Sequence, residues 1–248
     1  MGEQVEAVIF DMDGVLTDSE WFIAEAGRLM FAETYGTAVN HEDFLPFVGL
    51  GENRFLGGVA EKYGITAFDI PRDKARTYQI YTEIVRGKLK ALPGAVPFVR
   101  RCRDLGLKTA LATSADHIKM MTNLREIGLL DEARIAGSGD TPGQCGDTPR
   151  RPEGAGVFDA LVNGLEVERR KPFPDLFLEA ARRIAAAPEA CWVVEDSPGG
   201  VKAAKAAGMR CLGLLTTFPK EVIEKAGADM IAADLSCIQP EALNRPKG

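Results

Sequence analysis

The sequence predicts an α/β protein: a doubly wound parallel sheet carrying a smaller helical unit inserted after its first strand. Three observations lead there. Short apolar segments alternate with amphipathic ones through most of the chain, the pattern of successive βαβ units. The short segments are near-continuous apolar runs rather than alternating ones, as in parallel strands covered on both faces. One long stretch near the start breaks this rhythm and carries helical periodicity alone, so the sheet reads as Rossmann-like with an insertion.

In chain order, Val5–Phe10 is the first expected strand. From about Glu20 to Gly87 the pattern is helical, with turn punctuation at Gly36, Gly49–Gly51, Gly57–Gly58 and Pro71. Its links fall near Asp18–Glu20 and Ala91–Gly94. The expected organisation is therefore a discontinuous core, 1–18 and 89–248, with a helical cap over 19–88. Further strands are expected at Leu107–Ala112, Phe158–Val162, Cys191–Glu195 and Arg210–Leu214, and helices at Pro174–Ala186 and Gly199–Ala207, the latter stopped by Gly208. Within the core, 136–156 holds nine Gly or Pro among 21 residues and repeats GDTP, which predicts a flexible loop that cannot bury enough apolar area to order itself.

Composition excludes several classes of protein. Of 248 residues 46% are hydrophobic and 27% charged, and 30 basic against 36 acidic residues leave a net charge of −6. An acidic balance argues against nucleic-acid and anionic-membrane partners. Nowhere do 18 apolar residues run together. Five scattered cysteines without a C-x-x-C read as reduced thiols. The first strand begins almost at once, which predicts no signal or transit peptide. The expectation is a cytoplasmic monomer acting on a small molecule.

Ligands of open α/β sheets bind beyond the carboxyl ends of the strands, so the residues following each strand are the candidates. After the first come Asp11, Asp13 and Gly14, and after the second Thr113 and Ser114. Beyond the third lies Lys171 in KPFPD, and the fourth ends in Glu195 and Asp196. That set suits magnesium-assisted phosphoryl transfer. One aspartate can attack phosphorus while the other moves the proton of the leaving or entering oxygen. A hard dication between carboxylates and phosphate would relieve their repulsion, with Glu195 and Asp196 completing its site. Lys171 would neutralise phosphoryl oxygens, and Thr113 with neighbouring N–H groups would cradle them. Taken singly, each has another reading: Glu195-Asp196 and Thr113-Ser114 as helix caps, Lys171 as a solvated charge. An EF-hand loop needs D-x-D-x-D-G with a terminal Glu, which is absent.

DMDGVLTD, the LATS turn, KPFPD and VVEDSPGGVKAAKAAGM, in this order, make the chain resemble the haloacid dehalogenase superfamily. The likeness is greatest to the subgroup of β-phosphoglucomutase and sugar-phosphate phosphatases. FLPFVGLGENRFLGGVA also resembles the phosphatase-like domain of a plant suppressor-of-quenching protein. The resemblance implies Asp11 as nucleophile, Asp13 as general acid/base, and Mg²⁺ on Asp11, the Asp13 carbonyl, Asp196 and Glu195. It departs from the pattern at the 136–156 insert and at Arg170, where a glycine often precedes the motif lysine. Beyond the cap turn, Glu52 and Arg54 are candidates to touch the non-reacting part of the substrate. The mutase pattern places a histidine and an arginine where Ile23 and Glu52 stand here, so hydrolysis of a small phosphate ester is expected ahead of a phosphomutase. A non-catalytic binding domain of the same fold is the third reading.

Overall fold

The computed structural model describes residues 5–47, 51–130 and 156–244. The side chain of Glu52 and the expected loop up to residue 155, Cys145 included, lie outside the described residues. Six parallel strands are described: β1 (Ala7–Phe10), β2 (Lys108–Ala112), β3 (Ala160–Val162), β4 (Cys191–Glu195), β5 (Arg210–Leu214) and β6 (Met230–Ala232). Their order across the sheet is β3-β2-β1-β4-β5-β6. In β1, Phe10 is in register with Leu111 on one side and Val194 on the other. The winding therefore reverses at β1, whose carboxyl end opens the crevice where such sheets bind ligands.

The apolar runs partition by strand periodicity. Val8 and Phe10 join Leu111, Val194 and Leu212 on one face, under α4 (Ala95–Asp104) and α5 (His117–Glu126). Ala7 and Ile9 join Ala110 and Val193 on the other, under α6 (Asp175–Arg183) and α7 (Pro198–Ala206). With both faces covered, every residue of β1 and β4 is buried. The sequence reading did not include β6 or α8 (Lys220–Ala226). β6 is a three-residue edge strand, only half-buried and flanked by Asp229 and Asp234, so no apolar run announces it.

Between β1 and α4 lie α1 (Glu20–Tyr35), α2 (Glu52–Lys62) and α3 (Ile70–Val85). They close around an apolar cluster of their own, including Met30, Phe31, Phe44, Leu56, Val59 and Tyr81. Gly36, at φ +61°, ends α1 in the left-handed conformation. Pro71 lies in the first turn of α3, where its missing N–H costs nothing, and the Asp69 side chain caps the same helix at Arg72 N (2.8 Å). The two linkers run side by side: Thr17 bridges to Ala91, and Leu92 N donates to Leu16 O at 2.9 Å. Among the described residues no helix is long and apolar enough to cross a membrane.

Candidate active site

β1 delivers Asp11 while still in the sheet, its N–H donating to Val194 O at 3.0 Å. The chain then folds into a tight loop in which Leu16 and Thr17 both donate to Met12 O (2.8 and 3.0 Å). Buried Met12, Val15 and Leu16 anchor that loop in the core. Gly14 takes φ +77°, and a Cβ there would fall 1.8 Å from Asp196 Oδ2, so both conformation and space demand glycine. The Thr216 hydroxyl fastens the turn by donating to Gly14 O at 2.5 Å.

Lys171 is the centre of charge. Its Nζ lies 2.6 Å from Asp11 Oδ1 and 2.5 Å from Glu195 Oε1, and 5.1 Å from the centroid of the Phe177 ring. Burial opposes its charge, yet the two carboxylates outweigh that and hold its pKa above the usual lysine value. Glu195 is fully buried, and its Oε2 accepts from Asp196 N (3.0 Å), Ser197 N (2.9 Å) and Ser197 Oγ (2.9 Å). Ser197 Oγ in turn accepts from Gly200 N, capping α7. A Cβ on Gly200 would lie 1.8 Å from Glu195 Oε1, so the helix start is shaped around this carboxylate.

One oxygen each of Asp11, Glu195 and Asp196 lie within 4.8 Å of one another, three buried carboxylates against a single ammonium. Burial pushes the Asp11 carboxyl up to about 7; Lys171 pulls it down and Glu195 raises it further. Asp196 is likewise raised well above the usual carboxylate range, by burial first and then by Glu195 and Asp11, against a hydrogen bond from Thr217. The cluster is short of positive charge, and its hard oxygen donors fit a small divalent cation.

Asp13 stands apart from that triangle. Lys119 Nζ donates to its Oδ2 at 2.8 Å, and the Ser19 hydroxyl donates to Oδ1. Thr113 leaves β2 beside β1; its Oγ1 accepts from Ala115 N at 3.1 Å, fixing the turn that presents Ser114. Asp13, Ser114 and Lys119 face Ile23, Phe47 and Phe55 of the inserted helices across a cavity. Arg54 is not brought there: it is hydrogen-bonded to Glu61 at 2.8 and 2.9 Å and lies over Phe47. Arg170 packs against Gly51, and its guanidinium is 4.0 Å from Asp116, which also pairs with Lys74 of α3 at 2.7 Å.

The sequence reading overlooked Lys119, Ser19, Thr216 and Thr217. The threonines follow β5 and would have emerged had the rule of inspecting strand ends been carried to the fifth strand. Lys119 carried no such signal, since a lysine in the first turn of an amphipathic helix is ordinarily a solvated charge.

Set against known proteins, residues 5–208 match the profile of the haloacid dehalogenase-like hydrolases. The chain is 38% identical over 237 residues to the chloroplastic protein SUPPRESSOR OF QUENCHING 1 of Arabidopsis thaliana. That match covers 95% of this chain but only 20% of the plant protein. It is 32% identical over 205 residues to a phosphorylated carbohydrates phosphatase of Thermotoga maritima, covering 83% of this chain and 82% of that one. The crystal structure of CbbY from Rhodobacter sphaeroides in complex with phosphate superimposes with a TM-score of 0.74 over 94% of this chain and 96% of that one. At 21% identity, this is a likeness of fold.

Proposed function

The chain belongs to the haloacid dehalogenase-like hydrolase family, and on that premise we propose that it is a Mg²⁺-dependent phosphatase of a small phosphorylated metabolite of the sugar-phosphate kind. The observation that carries this reading is Asp11 at the switch point of the sheet, paired with buried Lys171 and grouped with Glu195 and Asp196.

In the first half-reaction an Asp11 oxygen attacks phosphorus and the bond to the leaving oxygen breaks. Asp13 gives its proton to that oxygen, and the phosphoryl group rests on Asp11. In the second, Asp13 takes a proton from water, whose oxygen attacks phosphorus and releases phosphate with Asp11 restored. Lys171, Thr113, Ser114 and nearby N–H groups hold the phosphoryl oxygens. Mg²⁺ held by Asp11, the Asp13 carbonyl, Asp196 and Glu195 would supply the positive charge that lets carboxylate and phosphoryl group approach. The inserted helices close over the leaving group with Ile23, Phe47 and Phe55.

The test is phosphate release from a panel of phosphomonoesters, with and without Mg²⁺. Net hydrolysis of a monophosphate without a bisphosphate activator is expected. A phosphomutase needs a cationic site for a second phosphate, whereas Ile23 lines the cavity and Arg28 and Arg54 are engaged by Glu25 and Glu61. Conversion of β-glucose 1-phosphate to glucose 6-phosphate faster than phosphate release would favour the mutase. Failure to turn over any phosphomonoester would favour a binding domain.

Metal binding should also appear in stability. Asp11 holds its proton up to about 7 in the folded chain against 3.8 otherwise. The folded state therefore binds more protons than the unfolded one across that window, and the metal-free protein loses stability as pH rises through it. Glu25 and Glu179, held down to about 2 by arginine partners, lose their contribution only below their ordinary 4.5. Between pH 5 and 8 the melting temperature should fall in EDTA and recover in Mg²⁺, which adds about 2.7 kcal/mol of stability at a hundredfold excess over Kd. A melting temperature indifferent to Mg²⁺ at pH 8 would count against the metal site.

A further inference from the structure

The cavity over Asp13 has two unlike walls. On the core side Asp13, Ser114 and Lys119 present a carboxylate, a hydroxyl and an ammonium. On the side of the inserted helices Ile23, Phe47 and Phe55 present aliphatic and aromatic carbon. Glu20, at the start of α1, is the one ionisable group that those helices bring to the cavity among the described residues. Both rings are held from behind. Phe55 stacks on buried Phe44, with centroids 4.8 Å apart and planes at 29°. The Arg54 guanidinium, paired with Glu61, covers one face of Phe47 at 5.3 Å from its centroid. The rest of each ring is the surface that lines the cavity.

The helices give way to these rings. Glycine weakens a helix interior, yet α1 and α2 each carry one where a ring passes close. A Cβ on Gly27 would lie 2.8 Å from Phe44 Cε1, and one on Gly58 would lie 2.4 Å from Phe47 Cε1. Neither glycine has a positive φ, so it is space and not conformation that excludes a side chain. An aromatic wall facing a polar one suits a ligand with both characters in one body. A pyranose has them, a face of C–H groups and a rim of hydroxyls. Aromatic carbon takes such a face by close apolar contact, while the hydroxyls find partners on Glu20 and Ser114. An open-chain polyol shows hydroxyls on every side. It would bury some of them against carbon, and it loses more conformational freedom on binding.

We propose that Phe47 and Phe55 are specificity-determining residues that select a cyclic sugar phosphate, taking the C–H face of a pyranose while its hydroxyls point toward Glu20 and Ser114. This rests on the phosphatase reading of the site, and it narrows the substrate to esters whose leaving group is a saturated ring. Arg54 then serves the substrate at one remove, holding the Phe47 ring by its far face.

The test compares ring with open chain. Glucose, mannose and galactose 6-phosphates are set beside the matching hexitol 6-phosphates, which keep the carbons and the phosphate but cannot close a ring. Wild-type kcat/KM should be about 10-fold or more higher for the best pyranose than for its hexitol. That ratio is then measured in Phe47→Leu, which keeps apolar bulk without the aromatic face, and in Phe47→Tyr, which keeps the ring. It should fall about 3–10-fold in the first, through KM, and stay above that value in the second. Phe55→Leu should behave as Phe47→Leu does; should it fail to fold, the two Phe47 variants carry the comparison. Damage common to both esters cancels in the ratio, so a merely structural role would leave it unmoved. Equal rates on ring and open chain, or a ratio unmoved in Phe47→Leu, would overturn the proposal and leave the phosphatase standing. So would a lower ratio in Phe47→Tyr than in Phe47→Leu, or turnover of 4-nitrophenyl phosphate with none of any pyranose phosphate. Wild-type protein inactive on every ester, 4-nitrophenyl phosphate included, would overturn the phosphatase reading itself.

Discussion

Asp11→Asn should lower phosphate release by about 10⁴–10⁶-fold, the scale on which loss of a covalent nucleophile is felt. The amide has nearly the shape of the carboxyl but no charge with which to attack phosphorus. The fold should survive, because burial already favours the neutral form of this side chain, as its pKa of about 7 records. The metal-free variant should therefore melt no lower than wild type at pH 8. Phosphate release and thermal unfolding on the same preparations check both halves. A variant retaining most of its activity would exclude the covalent route.

Lys171→Met should damage activity and stability together. Its ammonium is the single cation bonded to Asp11 and Glu195 among the described residues, at 2.6 and 2.5 Å. Removing one partner of a buried charge network while leaving the others typically costs about 3–5 kcal/mol. Turnover should fall by about 10²–10³-fold or more, since a preorganised cation on the phosphoryl oxygens is lost. The drop in melting temperature should be smaller at pH 5, where Asp11 takes up a proton, than at pH 8, above its value of about 7, where the wild-type lysine faces an ionised Asp11. An equal drop at both pH values would show that Lys171 stabilises by packing on Phe177 rather than by charge. Lys171→Arg is not expected to rescue activity, because a planar fork does not fit the space of a point charge.

Much of this architecture is legible in one dimension. Five of the strands announce themselves as apolar runs because a parallel strand covered on both faces has no polar side to show. The carboxyl-end rule then converts strand ends into a list of site candidates, and Asp11, Lys171, Glu195 and Asp196, drawn from three of those ends, meet in one cluster. β6 escapes because it is short, half-buried and at the edge. Arg54, just beyond a glycine turn, reads in the sequence as a candidate to touch substrate, yet it pairs with Glu61, since sequence spacing says nothing of which way a helix face is turned.

Residue types and their order thus carry the sheet, the insertion after β1 and the chemistry of the strand ends, because those follow from short-range periodicity and from a general property of parallel sheets. The partners of Asp13 follow from neither. Lys119 lies 106 residues from Asp13. What makes Lys119 a ligand of a carboxylate rather than a solvated charge is that α3 and the linker seal its surroundings from water. That burial exists only once the inserted helices are packed against α5, and no local pattern encodes it.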